Sequence, residues 1–145
     1  MKKFFLFLSV MMTAAVSFAN VLTDPDPEVK EVFKKEFPGA QIVNWTYQEG
    51  YDKATFILAG HRTVAYFDQD NELVGCIRDI FYDQLPITVM KAIDKKFSSA
   101  SFAEVREITN ADGTFYSLSA EQDDKKYKIR ISSEGSFSSI EKQAK

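Results

Sequence analysis

Apolar residues recur along this chain in two rhythms. In P-E-V-K-E-V-F-K-K-E-F-P-G-A, Pro27–Ala40, the residues Val29, Val32, Phe33 and Phe37 fall at i, i+3, i+4 and i+8. That spacing makes one stripe on an α-helix. Sixty positions later, Ile87–Ala100 carries the same stripe in Val89, Ala92, Ile93 and Phe97. Asp26 is placed to cap the first helix, Pro27 suits its first position, and Glu28 suits the positive end of the dipole. The helix must end before Pro38, since a residue preceding proline is pushed out of the α region, and Gly39 supplies the turn. A helix of three turns is marginal alone in water, so each copy needs a surface to lie on.

The second rhythm is alternation. Gln41–Glu49 sets Val43, Trp45 and Tyr47 against Asn44, Thr46 and Gln48, which argues for a half-buried strand. Tyr51–Ala59, Arg62–Phe67 and Glu72–Tyr82 follow as strands, separated by Gly50, by Gly60-His61 and by Asp68-Gln69-Asp70-Asn71. After Asp83-Gln84-Leu85-Pro86 and the second helix, Phe102–Ile108, Phe115–Gln122, Lys126–Ser132 and Phe137–Ile140 give four more. The expected fold is α+β: two tandem α-β-β-β-β repeats, 20–82 and 83–145, with hairpins that imply antiparallel pairing in each.

Comparing the copies assigns faces. Tyr127, Ile129 and Ile131 alternate with Lys126, Lys128 and Arg130, so their equivalents Thr63, Ala65 and Phe67 should face the helices. Tyr116, Leu118 and Ala120 match Ala54, Phe56 and Leu58 in the same way. The opposite face of the first copy then carries Tyr51, Ile57, Val64 and Tyr66, where the second has Ser117, Ser119, Lys128 and Arg130. Both faces of Glu72–Tyr82 are apolar, and its facing stays open.

The first nineteen residues read as an address. Lys2 and Lys3 precede an apolar run from Phe4 to Val16, and Ser17-Phe18-Ala19 places small residues before a cut at Asn20. This is the pattern of a secretory signal peptide, and the run is too short for a membrane span. Its removal leaves 126 of 145 residues, and loss of the two lysines takes the formal charge from −3 to −5. Such a chain is expected to be periplasmic or secreted, with no stable membrane anchor and no electrostatic reason to bind nucleic acid. The single cysteine, Cys76, allows no internal disulfide.

The run from Val29 to Ala40, with Val43-Asn44-Trp45 and Phe67-Asp68-Gln69-Asp70-Asn71-Glu72-Leu73, resembles the PepSY-like, beta-lactamase-inhibitor-like domains of secreted Bacteroidota proteins. The second copy matches at Leu85-Pro86, Phe97 and Ala100, but has Ser98-Ser99 for Pro-Gly and Val105 for the tryptophan. The resemblance implies one curved sheet with both helices packed on one face, and a binding or inhibitory role.

The residues carry little chemistry. His61 is the one histidine and has no His or Cys cluster near it, so it reads as a solvated turn residue. Cys76 reads as a half-buried strand residue, with Arg78 on its face as the feature that could make it reactive. Asp68-x-Asp70-Asn71-Glu72 lacks the glycine and glutamate of a calcium loop, and reads as a hairpin turn. Trp45, Phe33 and Phe37 read as core under the helix. No catalytic residue, metal ligand or cofactor is expected. The expectation is a non-catalytic module that offers Tyr51, Ile57, Val64 and Tyr66 to a periplasmic or extracellular protein. The alternative is a carrier of a small molecule or peptide, with its pocket between helices and sheet.

Overall fold

A computed structural model of the chain describes residues 22–144; the expected signal peptide lies outside the described residues. Helix α1 (Pro27–Glu36) is followed by β1 (Gln41–Gln48), β2 (Tyr51–Leu58), β3 (His61–Phe67) and β4 (Leu73–Asp79). A 3-10 turn (Tyr82–Gln84) leads to α2 (Ile87–Lys96), β5 (Ser101–Asn110), β6 (Gly113–Gln122), β7 (Lys125–Ser132) and β8 (Phe137–Lys142). The strands form one eight-stranded sheet in chain order, each antiparallel to its neighbours.

The helices start and stop for the expected reasons. Asp26 accepts from the Glu28 N–H at 2.9 Å, and Pro27 opens α1. Phe37 leaves the helix before Pro38 while its N–H still reaches Phe33 O at 2.9 Å. Helix α2 begins after Pro86 without a side-chain cap. Each helix builds its own core. Val29 and Phe33 pack with Ala54, Phe56, Ala65 and Phe67, and Val89 and Ile93 pack with Leu118, Ala120, Ile129 and Ile131.

Both helices lie on one side of the sheet, and the register shows it. The cross-strand row Phe56, Thr63, Arg78, Glu107, Tyr116 and Ile131 stays on one face, because directly paired residues share a face. Phe56 at one end belongs to the α1 core, and Tyr116 and Ile131 at the other belong to the α2 core.

Strict alternation breaks in four strand pairs, β1–β2, β3–β4, β5–β6 and β7–β8, and in two of them the backbone takes a positive φ. In β1 a bulge falls between Gln41 and Asn44, and Ile42 takes φ 54°; in β5 a bulge falls between Ala103 and Arg106, and Glu104 takes φ 52°. Each of these two bulges sits in the first strand of its half, where the extra residue bends the strand and turns the next side chains. The fourth strand also ends earlier than alternation predicts. Past Asp79 the chain leaves the sheet, because Tyr82 stacks on Phe102 (4.4 Å between ring centroids, 3° between planes) and donates to Asp94 at 2.7 Å.

Candidate functional site

The helix-free face of the sheet carries every residue expected at a docking surface. Tyr51 follows Gln48 across the β1–β2 turn and shares a face with Lys53, Thr55 and Ile57. Ile57 pairs with Arg62, Thr55 with Val64, and Lys53 with Tyr66. The four expected residues therefore stand together on the open side.

Their exposure is not equal. Tyr51 is 41% exposed, whereas Val64 is only 4% exposed. Val64 faces away from the helices but is hemmed in by Thr55 and Ile77 across the strands and by Arg62 and Tyr66 along its own strand. It shapes the floor of the face and offers little area itself. Lys53 Nζ sits 6.0 Å from the Tyr66 ring centroid, so its stem and charge cover part of that ring.

The facing of β4, open from the sequence, is now fixed. Gly75, Ile77 and Asp79 lie on the open side, and Cys76 and Arg78 on the helix side. Through Ile77 the apolar row continues to Ile108 and Phe115, so an unbroken band from Val64 to Phe115 crosses both halves of the chain. Repeat comparison could not show this, because it hinges on the register between the halves. Beside the band runs a charged row. Asp79 lies 3.6 Å from Arg62 and 3.3 Å from Arg106, and the row goes on through Ser117 to Arg130.

The helix side of the central strands holds a second polar group. Arg78 lies 2.9 Å from Glu107, and the Tyr116 hydroxyl donates to the same carboxylate at 3.4 Å. Burial, followed by the Glu107 charge, raises the Tyr116 phenol above its ordinary value. Burial also raises the Cys76 thiol, with Arg78 opposing and Glu107 adding, which makes the thiolate scarce and the thiol unreactive.

His61 differs from the expectation. It is half-buried at the start of β3, and its Nδ1 donates to the Asp79 carbonyl at 2.9 Å. Gln84 Oε1 accepts from the Phe81 N–H at 2.8 Å, so the Gln84 amide nitrogen is the group turned toward His61 Nε2, 3.4 Å away. The ring thus clamps β3 to the linker between the halves. A solvated turn residue was expected because these partners lie eighteen and twenty-three positions away. Asp68 is a turn residue as expected: its Oδ1 accepts from the N–H groups of Asp70 and Glu72, both at 3.0 Å. Among the described residues no three His, Cys, Asp or Glu side chains come together.

Aromatic rings fill the centre of the contact between α1 and the sheet. Phe33 meets Phe56 at 4.9 Å, Trp45 at 5.2 Å and Phe37 at 5.5 Å between centroids. A groove of about 460 Å³ opens between α1 and β1, along Lys30, Phe33, Lys34, Phe37, Val43 and Trp45.

No protein-family model matches the chain, and neither does any curated protein. Solved structures do. A BLIP-like protein from Bacteroides fragilis superposes with a TM-score of 0.75 at 19% identity, over 85% of this chain and 89% of that one. A protein from Bacteroides eggerthii inferred to be periplasmic gives 0.74 at 22% identity, over 83% and 90%. A DUF2874 family protein from Bacteroides ovatus gives 0.73 at 23% identity, over 83% and 89%. The open eight-stranded sheet with two helices is therefore the fold of the BLIP-like and DUF2874 proteins of Bacteroides.

Proposed function

We propose that this is an exported, non-catalytic binding module that presents the helix-free face of its sheet to a protein partner. The observation that carries it is the apolar band from Val64 through Ile77 and Ile108 to Phe115, flanked by Tyr51, Ile57 and Tyr66 and covered by no helix. A sheet face with no partner needs no such band, since antiparallel sheets ordinarily turn polar residues to solvent. The filled space under α1 favours a surface role over a carrier role. Periplasmic or secreted placement follows from the export pattern of residues 1–19 and accords with the description of the B. eggerthii neighbour. The chain is read as two tandem units, 20–82 and 83–145, whose sheets join at β4 and β5 to make one curved surface.

The test is capture of a partner from periplasmic extract by the wild type, by Tyr51→Ala/Tyr66→Ala, by Ile77→Lys, and by Lys34→Glu on α1 as control. The open-face variants should lose the partner and the α1 variant should keep it. A partner lost only from the α1 variant refutes the reading. Enzyme inhibition is the narrower form of this proposal, and its motive is the BLIP-like name of one structural neighbour. Absence of inhibition across a panel of peptidases and β-lactamases at micromolar protein would remove it.

A further inference from the structure

The charged row on the open face alternates and then stops alternating. Across β3, β4 and β5 it reads Arg62, Asp79, Arg106, with the carboxylate inside ion-pair distance of both arginines. The register extends the row to Ser117 on β6 and Arg130 on β7. The position between Arg106 and Arg130 thus corresponds to that of Asp79 between Arg62 and Arg106, but holds a serine. Paired Cα atoms lie about 5 Å apart in adjacent antiparallel strands, so both gaps have the same width of about 10 Å.

Arg130 is set up for a ligand. Its guanidinium carbon lies 3.8 Å from the Phe115 ring centroid. Among the described residues no carboxylate lies within ion-pair distance of it, Asp112 and Glu134 line the same hollow of about 290 Å³, and its cross-strand neighbours are Ser117 and Ser139. Stacking holds the guanidinium plane and leaves its N–H edge free for a planar anion. The lysines nearby are differently placed: Lys126 lies 3.9 Å from Glu121, and Lys128 faces Glu141 across the strands. A cavity of about 560 Å³ opens on the Arg106 side of the row, lined by Arg106, Ser117, Ser119 and Lys128 together with Glu104 and Glu121; the Ser119 hydroxyl donates to Glu104 at 2.9 Å, and Glu121 lies 3.9 Å from Lys126.

We propose that Arg106 and Arg130, over Ser117, form a receptor for a side-chain carboxylate, and that the partner's contacting segment is therefore acidic. This rests on reading the open face as the docking surface and adds the chemistry of what docks there. Charge-assisted contacts to a stacked arginine are the kind that decide affinity.

The experiment fills the gap from within. Ser117→Glu supplies the missing carboxylate in cis, and Ser117→Gln supplies the same bulk without charge. In low salt Ser117→Glu should melt higher than Ser117→Gln, with the difference shrinking in 0.5 M NaCl. A displayed random peptide library selected on the wild type should yield binders rich in Asp and Glu. Synthetic versions of these should bind Ser117→Glu and Arg130→Ala at least about tenfold more weakly and Ser117→Gln about equally, since tenfold is the loss of one good contact. Binders without acids, or acidic binders indifferent to Ser117→Glu and Arg130→Ala, overturn the proposal. If such binders still fail on Tyr51→Ala/Tyr66→Ala, the docking face stands and only the carboxylate site falls. Displacement by inorganic phosphate well beyond that by chloride at equal ionic strength would also overturn it, in favour of a phosphate site.

Discussion

Phe33→Ala is the sharpest test of the packing. Phe33 is 6% exposed and sits at the centre of an aromatic group, with Phe56 at 4.9 Å, Trp45 at 5.2 Å, Phe37 at 5.5 Å and Phe67 at 6.4 Å. Truncating such a ring costs about 3–5 kcal/mol in transfer and cavity terms. Edge and tilted ring pairs add about 0.5–1.5 kcal/mol each to what the area alone would give, so the upper half of that range is expected. For a chain of this size the melting point should fall by roughly 10–20 °C. Trp45 is the sole tryptophan and touches Phe33, so its fluorescence reports this cluster, while far-UV circular dichroism reports the whole sheet. Urea unfolding followed by both signals should give coincident transitions, both shifted. A loss of less than about 1.5 kcal/mol would refute the packing, because it falls well below the cost of truncating a buried ring to alanine in a filled core.

Three further substitutions test particular contacts. Gln84→Ala removes the amide that faces His61 Nε2 and the oxygen that holds the Phe81 N–H, and should cost about 1 kcal/mol in urea unfolding. Gly135→Ala places a Cβ 3.0 Å from the Thr88 carbonyl oxygen at φ +87°, and should cost about 1–3 kcal/mol by the same assay. The Tyr82 phenol is raised above its ordinary value by burial first and by the Asp94 hydrogen bond and charge after it. Its contribution is complete below the ordinary tyrosine value of about 10 and is lost as pH climbs from there through the raised folded value. Tyr82→Phe should therefore flatten the fall in stability at alkaline pH and remove the last step of the 295 nm titration.

Helix spans, strand number and the helix-facing rows were legible because each rests on local periodicity. The Val29 and Phe33 stripe, the Asp26 cap and the Pro38 stop need only neighbours within a few positions. The facing of β6 and β7 was legible because polar and apolar residues alternate there, and that of β2 and β3 from matching them to β6 and β7. Features that depend on remote register were not. The burial of Val64 is set by Ile77, thirteen positions on, and the continuation of its row by Ile108, forty-four positions on. The bulges at Ile42 and Glu104 carry no glycine to mark them, so their positive φ was silent in the sequence. The end of β4 was hidden in the same way, since Tyr82 is a good strand residue until Phe102 and Asp94 draw it toward α2. Of the proposed face, the strand pattern placed Tyr51, Ile57 and Tyr66 opposite the helices, whereas the order Arg62, Asp79, Arg106, Ser117 and Arg130 depends on register across five strands.

That row makes one prediction whose sign separates binding from stability. The joint between the halves is the β4–β5 pair, for the two helices build separate cores. Ion pairs brace it on both faces: Arg78–Glu107 at 2.9 Å on the helix side and Arg106–Asp79 at 3.3 Å on the open side. Asp79 is also the internal carboxylate that occupies Arg62 and Arg106. Asp79→Asn should therefore weaken the fold modestly, by about 1 kcal/mol or less, because both partners are half-exposed and screened by solvent. The same change frees Arg106 beside the gap at Ser117, and Arg62 two strands further along the row, so acidic peptides should bind it more tightly than the wild type. Ser117→Glu should do the reverse, binding them more weakly while melting above Ser117→Gln in low salt. Opposite signs in the two variants are the result expected of an alternating charge row with one acid missing. Weaker acidic-peptide binding by Asp79→Asn would show instead that Asp79 organises the arginines for a ligand rather than competing with it, and the vacancy argument would fail.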